Sequence, residues 1–517
     1  MYHRGSAKQP EFPGFYLPFN GCLDSSNRWV DFSKMIPWSE LEDKYSELFS
    51  DDQGRPSLPV RVAFGALVIK AYLNLSDRET VQAIQENVYL QYFLGYREFV
   101  GEAPFDPTMM VHFRKRFDLS MITAIQDQLE QSELSENVKS DAPVQACDMA
   151  EVAEAEGSEN QGKLLIDATV AVADIRYPRD VNILNEAREK SERIIDGLHE
   201  GLKGKDRKVR TYRQVARGKY LWIAKQKRPG PSKIRKAIRS QLGYLNRNLG
   251  HISKLIDKVG FTGLSGQHHR DYLILQEVFR QQHQMWKRRE HRIDHRIVSC
   301  SQPHVRPIVR GKASAPTEFG AKLSVSLVNG IARIDHLSWD NFNESTDLKS
   351  QVEGYRNRYG FYPESVHADR IYRTRENRHY LKARGIRLSG PPLGRPPLIT
   401  DATERRIQRR QQRQDERDRI PIEGKFGQGK RRFSLDRILA KLPHTSECWI
   451  AMVFFAMNLT KWLERLLLCL VYGPIRINRP RLAHLYLLSE GFGRVFQFSK
   501  AAQLFPQEMC TDFFSKP

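Results

Sequence analysis

Paired cysteines are missing from this sequence. Its six cysteines (Cys22, Cys147, Cys300, Cys448, Cys469, Cys510) are scattered with no Cys-x-x-Cys pair, which argues against a zinc ribbon or a disulfide scaffold and suits a reducing cytoplasm. Long apolar runs are also scarce. The most apolar stretch, CWIAMVFFAM at 448–457, is soon interrupted by Asn458, Lys461, Glu464 and Arg465. It is too short to span a bilayer and reads as a buried helix. The N-terminus, MYHRGSAKQPEFPGFYLP, carries no apolar core of a secretory signal. The expectation is a cytoplasmic protein without a membrane segment.

Acid is nearly absent from residues 201–260, where 18 Lys or Arg stand against Asp206 and Asp257. Tyr212, Tyr220, Trp222 and Tyr244 lie among them. Single charge runs are usually solvated helix faces. An imbalance this large calls for external counter-charge, which nucleic-acid phosphates supply. The whole chain points the same way, with 517 residues and a net charge of +21. Arg207, Lys208, Arg235 and Lys236 are candidate DNA contacts within the segment.

Upstream the sign reverses. Eight acids and one lysine occupy 133–159, with Ser, Ala and Gly between them and no hydrophobic period. The expectation is an exposed linker over 133–162, separating an all-helical N-terminal domain (1–132) from the rest. In that domain LPVRVAFGALVIKAYLNL (58–75) has an apolar helix pattern, and Ser76 with Glu79 forms a capping box. Asp106-Pro107 supplies a cap and first-turn pair for a helix that ends on Arg114, Lys115 and Arg116. Such short helices suit a helix-turn-helix-like DNA binder, with these three residues on DNA, or equally a dimerisation bundle.

From 163 to 472 the pattern is α/β. GKLLIDATVAVAD (162–174) alternates as a strand. A long basic helical insert follows, about 180–300. Residues 319–340 form a hairpin around Asn329-Gly330, the strongest short turn signal. Then come a helix (346–360), a strand (363–369), a helix (374–385) and a last short strand (386–390). This order predicts a mixed sheet with helices packed on it. Residues 473–517 form an extension with no readable role.

Three carboxylates stand out. Asp167 lies inside the first strand, in LLIDATV. Asp369 ends a later strand, in SVHADRIY. Glu423 sits alone among basic residues in RIPIEGKFGQGK, 419–430. Each taken singly reads as a paired or capping acid. As a set they suit hard cations with oxygen ligands. Two such ions roughly 3.5–4 Å apart activate an attacking oxygen and stabilise a leaving one. His367, Asp174, Asp180, Asp335 and Asp340 read as packed, capping or surface groups.

With these motifs the chain resembles a DDE transposase of a bacterial insertion sequence, with a ribonuclease H-like core, over about 58–465. LIDATV is similar to the first-Asp motif and VHADRIY to the second. RIPIEGKFGQGK is similar to the Arg-x3-Glu-x6-Lys part of the Tyr-x2-Arg-x3-Glu-x6-Lys signature. Segment 58–117 looks like the N-terminal domain common to these enzymes. The signature Tyr falls at Glu416, and the usual Gly after Ala-Asp-Arg is Ile371. The resemblance implies that Asp167, Asp369 and Glu423 are catalytic and hold two Mg²⁺, with Mn²⁺ able to substitute. It implies that Arg419 and Lys430 contact phosphate near the cleaved bond. Partners would be double-stranded DNA, at element ends and target, and a second copy in a DNA-bound homodimer. The location would be the nucleoid. Two other readings stay open: a non-catalytic DNA-binding derivative, and a metal-dependent nuclease without strand transfer.

Overall fold

The computed structural model of the chain describes residues 22–50, 56–139, 159–202, 207–310, 317–391 and 402–472. Most of the acidic segment (140–158), the Pro-rich stretch after the last strand (392–401) and the extension 473–517 therefore lie outside the described residues. The chain divides into two compact units, Met1–Lys461 and Trp462–Pro517. All elements of the site belong to the first.

The N-terminal part is helical: α1 (Arg28–Met35), α2 (Trp38–Ser46), α3 (Val60–Leu73), α4 (Asp77–Glu86), α5 (Val88–Phe93), α6 (Met109–Arg116) and α7 (Leu119–Lys139). The Ser76/Glu79 capping box is present at the start of α4. Helix α6 begins two residues later than the sequence suggests. Asp106 does not cap it directly; its Oδ1 accepts from the backbone and hydroxyl of Thr108, which becomes the cap. Helix α7 runs on to Lys139, so 133–139 is helical where a linker was expected.

Helix α3 is buried on all sides, as its uniformly apolar sequence requires. One neighbour is α15 (Pro443–Tyr472), the apolar run foreseen as a buried helix, through Phe64 against Phe455 at 5.3 Å. Lys70 stands over Trp449, 5.0 Å from its ring. The other end of the N-terminal part is held by a buried ionic cluster. Arg333 bonds Glu130 and pairs with Asp127 of α7, and Tyr359 donates to Glu130 at 2.6 Å.

The sheet has six strands: β1 (Lys163–Val172), β2 (Arg306–Val309), β3 (Thr317–Val328), β4 (Ile331–Ser338), β5 (Ser365–Ala368) and β6 (Arg387–Leu388). The order is β2-β3-β1-β5-β6, with β4 also on β3. β1 is antiparallel to β3 and parallel to β5, and β5 is parallel to β6. The β3–β4 turn uses Asn329 and Gly330, both with positive φ (50° and 85°), the geometry expected of an Asn-Gly hairpin. Edge strand β2 was not foreseen; Pro307 within it disguises a strand and is tolerated at an edge.

Alternation along β1 sorts its residues between two layers. Leu164 and Ile166 join Val366 and Ala368 in a core with α12 (Leu348–Tyr359) and α13 (Arg375–Lys382). Leu165, Asp167, His367 and Asp369 occupy the alternate positions. On that side α14 (Ala402–Arg432) packs across β1 and β5. Between β1 and β2 the chain forms the expected helical insert: α8 (Asp180–Glu200), α9 (Arg213–Ala224), α10 (Pro231–Val259) and α11 (Gly266–Arg288). It has its own core, from Ile183 and Leu184 through Leu245 and Ile252 to Leu275 and Val278.

Candidate active site

The parallel register sets two of the three carboxylates side by side. Ile166 pairs with Ala368, so the next residues, Asp167 and Asp369, fall at the same level on adjacent strands. The β3–β4 pairing is irregular at Ser324/Val325, and these two residues face Ala168 and Asp167 across β3–β1. A bulge beside such a residue re-aims the strand locally.

Glu423 arrives from α14. This helix continues through Pro421, Gly424, Gly427 and Gly429, against their low propensity. Tertiary packing outweighs propensity here. Ile422 is fully buried, and a Cβ added at Gly429 would come within 3.3 Å of Leu435 and Met457. The chain after α14 is then pinned to the end of β1, where the Ile438 amide donates to Val172 O at 2.7 Å and the Val172 amide to Leu435 O at 3.1 Å.

Arg419, one turn before Glu423, joins the two strand-end and helix carboxylates. Its Nη1 donates to Asp369 Oδ1 at 2.9 Å and its Nη2 to Glu423 Oε1 at 2.5 Å. The Asp369 and Glu423 side chains are 54% and 53% exposed, so the group is open to a ligand. Asp167 Oδ1 accepts from the Ala168 amide at 2.8 Å. Burial lifts the Asp167 carboxyl to about 6, helped by Asp369 and Glu344 and opposed by the Ala168 amide and Arg419. For Asp369, burial is outweighed by the Arg370 amide, Arg419 and Arg373, which hold it below its ordinary value. Neighbouring carboxylates with pKa values pushed apart mark a site whose charge is unusually concentrated.

Among the described residues no three His, Cys, Asp or Glu side chains converge closely enough to hold an ion together. The Arg419 guanidinium instead supplies the positive charge that Asp369 and Glu423 share. The donor set, carboxylates only, is of the kind that fits a hard divalent cation.

The other expected contacts fare differently. Lys430 lies 3.5 Å from Glu318 on β3. Arg310, which sequence reading missed, also approaches Glu318 at 3.8 Å and donates to Ala168 O at 3.3 Å. Nothing in the sequence around Arg310 signals that placement. His367 is buried, with Nε2 3.1 Å from Ser365 Oγ, in keeping with a packed histidine. Two of the N-terminal candidates have partners within the fold. Arg114 is buried and bonds both oxygens of Asp77 at 2.8 Å. Arg116 donates to Tyr45 Oη at 2.9 Å and stacks on Phe49. Lys115 is exposed and Arg116 half-buried. In the insert, Lys208 pairs with Asp196 at 2.7 Å, and Arg235 lies on Trp286 and donates to its carbonyl. Arg207 and Lys236 are exposed.

A mixed sheet of this order, with one acid inside β1, a second just past the end of the neighbouring β5 and a third on a helix crossing both, defines a ribonuclease H-like protein of the transposase kind. Comparison with known families agrees. A model described as "Transposase DDE domain" matches residues 366–460, and one described as "Transposase domain (DUF772)" matches 18–116. The two matches indicate a DDE transposase of an insertion sequence. It is 34% identical over 87 residues to an uncharacterized protein, ORF8 of the nfe locus of Rhizobium meliloti. That match covers 17% of this chain and 42% of the relative. No solved structure matches. No helix among the described residues is long and apolar enough to cross a membrane.

Proposed function

We propose that the protein binds the ends of its insertion sequence as a homodimer, cleaves a phosphodiester there and transfers the freed end to target DNA. The observation that carries this reading is the meeting of Asp369 and Glu423 on one guanidinium beside Asp167. Asp167, Asp369 and Glu423 would hold two Mg²⁺, or Mn²⁺ in their place. Such ions, when bound, lower the pKa of attacking water and neutralise charge on the leaving oxygen.

The chain's own residues do the rest. The parallel β1–β5 register fixes the two aspartates relative to each other, and packing of Ile422 fixes the helix that carries Glu423. Arg419 and Lys430 lie about three turns apart on α14, about 16.5 Å along its axis, a span over which more than one phosphate of a strand can be met. In the first step a water oxygen bonds to phosphorus, the P–O3′ bond breaks, and a 3′-hydroxyl is left. In the second that hydroxyl bonds to a target phosphorus and displaces another 3′-oxygen. No covalent bond to protein is needed. Spacing of Arg419, Glu423 and Lys430 supports membership of the Tyr-Arg-Glu-Lys branch, although Glu416 replaces its tyrosine.

The test is cleavage and joining of a duplex bearing the element end, with Mg²⁺ and with chelator. Cleaved but never joined product would mean a nuclease. Binding without cleavage under every divalent ion would mean a DNA-binding derivative.

A further inference from the structure

Helix α10 has one face buried in the insert's core and one face bare. The exposed positions recur at three- and four-residue steps: Lys233, Lys236, Arg239, Gly243, Arg247, Gly250 and Lys254. These offsets place all seven on a single stripe. Asp257 is the one acid of the whole helix. Among the described residues none of the five cations of the stripe pairs with a carboxylate. On an isolated helix face like charges so spaced repel, and an external polyanion removes that cost.

The two glycines sharpen the argument. Gly243 and Gly250 lie deep inside a 29-residue helix, where glycine weakens the helix relative to alanine. A Cβ added at either would meet nothing within 4 Å, and neither has a positive φ. The protein's own packing and backbone therefore give no reason for glycine here. Glycine at an open helical position lets another molecule's backbone come close.

Arg247, between the two glycines, is also held in place. Its guanidinium lies 4.7 Å from the centre of the Tyr212 ring, and Arg210 lies 4.6 Å from the same ring. Stacking on one aromatic orders two guanidiniums and leaves their N–H edges for oxygen acceptors. Lys219 stands over Tyr244 on the same helix. Tyr212 itself has φ 56°, an uncommon conformation for a bulky residue.

We infer that the exposed stripe of α10, centred on the Arg210–Tyr212–Arg247 cluster, is a track for the sugar-phosphate backbone of duplex DNA. From Lys233 to Lys254 it runs about 32 Å, at about 1.5 Å per residue. That is about nine base pairs at about 3.4 Å each. The bare backbone at Gly243 and Gly250 is where the duplex lies closest. The track reads no bases. It deepens the proposed function by giving the insert a defined face, and it excludes Lys208 and Arg235, whose charges are used inside the insert.

The experiment measures binding of a labelled 30-base-pair duplex of arbitrary sequence to the full chain, by anisotropy over a range of KCl. Lys236→Ala/Arg239→Ala/Arg247→Ala should flatten the slope of log K against log salt by about 2 to 3, at about 0.9 per phosphate contact. Lys287→Ala/Arg288→Ala/Lys382→Ala, an equal charge loss elsewhere, should leave the slope within about 0.5 of wild type. Gly243→Gln/Gly250→Gln keeps every charge. It should weaken binding at least tenfold while the melting temperature stays level or rises. An unchanged slope in the first variant, or unchanged affinity in the glycine variant, overturns the track. So does a wild-type preference for duplex RNA. The transposase reading fails separately, if duplex is bound on this track yet never cleaved with Mg²⁺ or Mn²⁺.

Discussion

Arg419 donates to Asp369 across the sheet-to-helix gap, 50 residues away in sequence, and with its other nitrogen holds Glu423. A cation belonging to the chain thus stands among acids expected to bind external cations. Arg419→Ala should have opposite effects on two measurements. Without DNA, Mn²⁺ affinity followed by electron paramagnetic resonance should rise about tenfold, because a charge within about 3 Å of two carboxylates is removed. Cleavage of end DNA should fall. Equal or weaker Mn²⁺ binding in the variant would show that the guanidinium does not compete with the ion.

The three carboxylates should separate chemistry from grip. Asp167→Asn, Asp369→Asn and Glu423→Gln should each lower cleavage by about a thousandfold or more. Duplex affinity in chelator should stay within about threefold, since binding draws on many basic contacts. A variant that cleaves almost normally removes its residue from the site.

His304 predicts a loss of stability in acid. Burial, with Arg306 and Arg270 nearby, lowers its pKa from 6.5 to about 4. It packs edge-on against Trp339 at 4.4 Å. The unfolded chain takes up a proton between pH 6.5 and 4 that the folded chain refuses. The stability given by neutral His304 is therefore complete above pH 6.5 and declines as pH falls toward 4. Urea midpoints at pH 7.5 and 5 should differ less in His304→Phe than in wild type. An identical drop in both proteins would assign the acid sensitivity elsewhere.

The buried cluster on Arg333 gives the fourth prediction. Arg333 is 4% exposed and Glu130 is 7% exposed. Arg333→Ala leaves Glu130 without its cation and should destabilise by about 3 kcal/mol or more in denaturant titration. Arg333→Leu/Glu130→Leu should be less damaging than Arg333→Ala alone. Additive losses would mean that the two do not act as a pair.

Local patterns carried much of the architecture. Alternation exposed β1, Asn329-Gly330 the hairpin, and Ser76 with Glu79 the start of α4. Two acids in or at the end of apolar strands, and one alone in a basic stretch, marked the candidate site. The misses share one physical cause: they depend on partners far away in sequence. Arg114 looks like a free cation until Asp77, 37 residues before it, accepts both its hydrogen bonds. Segment 419–430 is poor helix material until Leu435 and Met457 close around Gly429. Arg310 has no motif and finds the site because β2 lies beside β3. Sequence spacing showed that Arg419 and Glu423 share a helix face only if a helix forms, and tertiary packing decides that.

Helix α7 is fixed to β4 and α12 through Arg333 and Tyr359, and α3 is lodged against α15. With both holds in place the N-terminal helices and the sheet belong to one compact unit. In the proposed reaction this makes the protein a ruler. Any base touched from α6 lies at a set distance from the phosphate beside Asp167. An element end lengthened by about five base pairs, half a turn of DNA, would present that base on the wrong side of the duplex. Such an end should be bound by the phosphate contacts and still not be cut at its natural position.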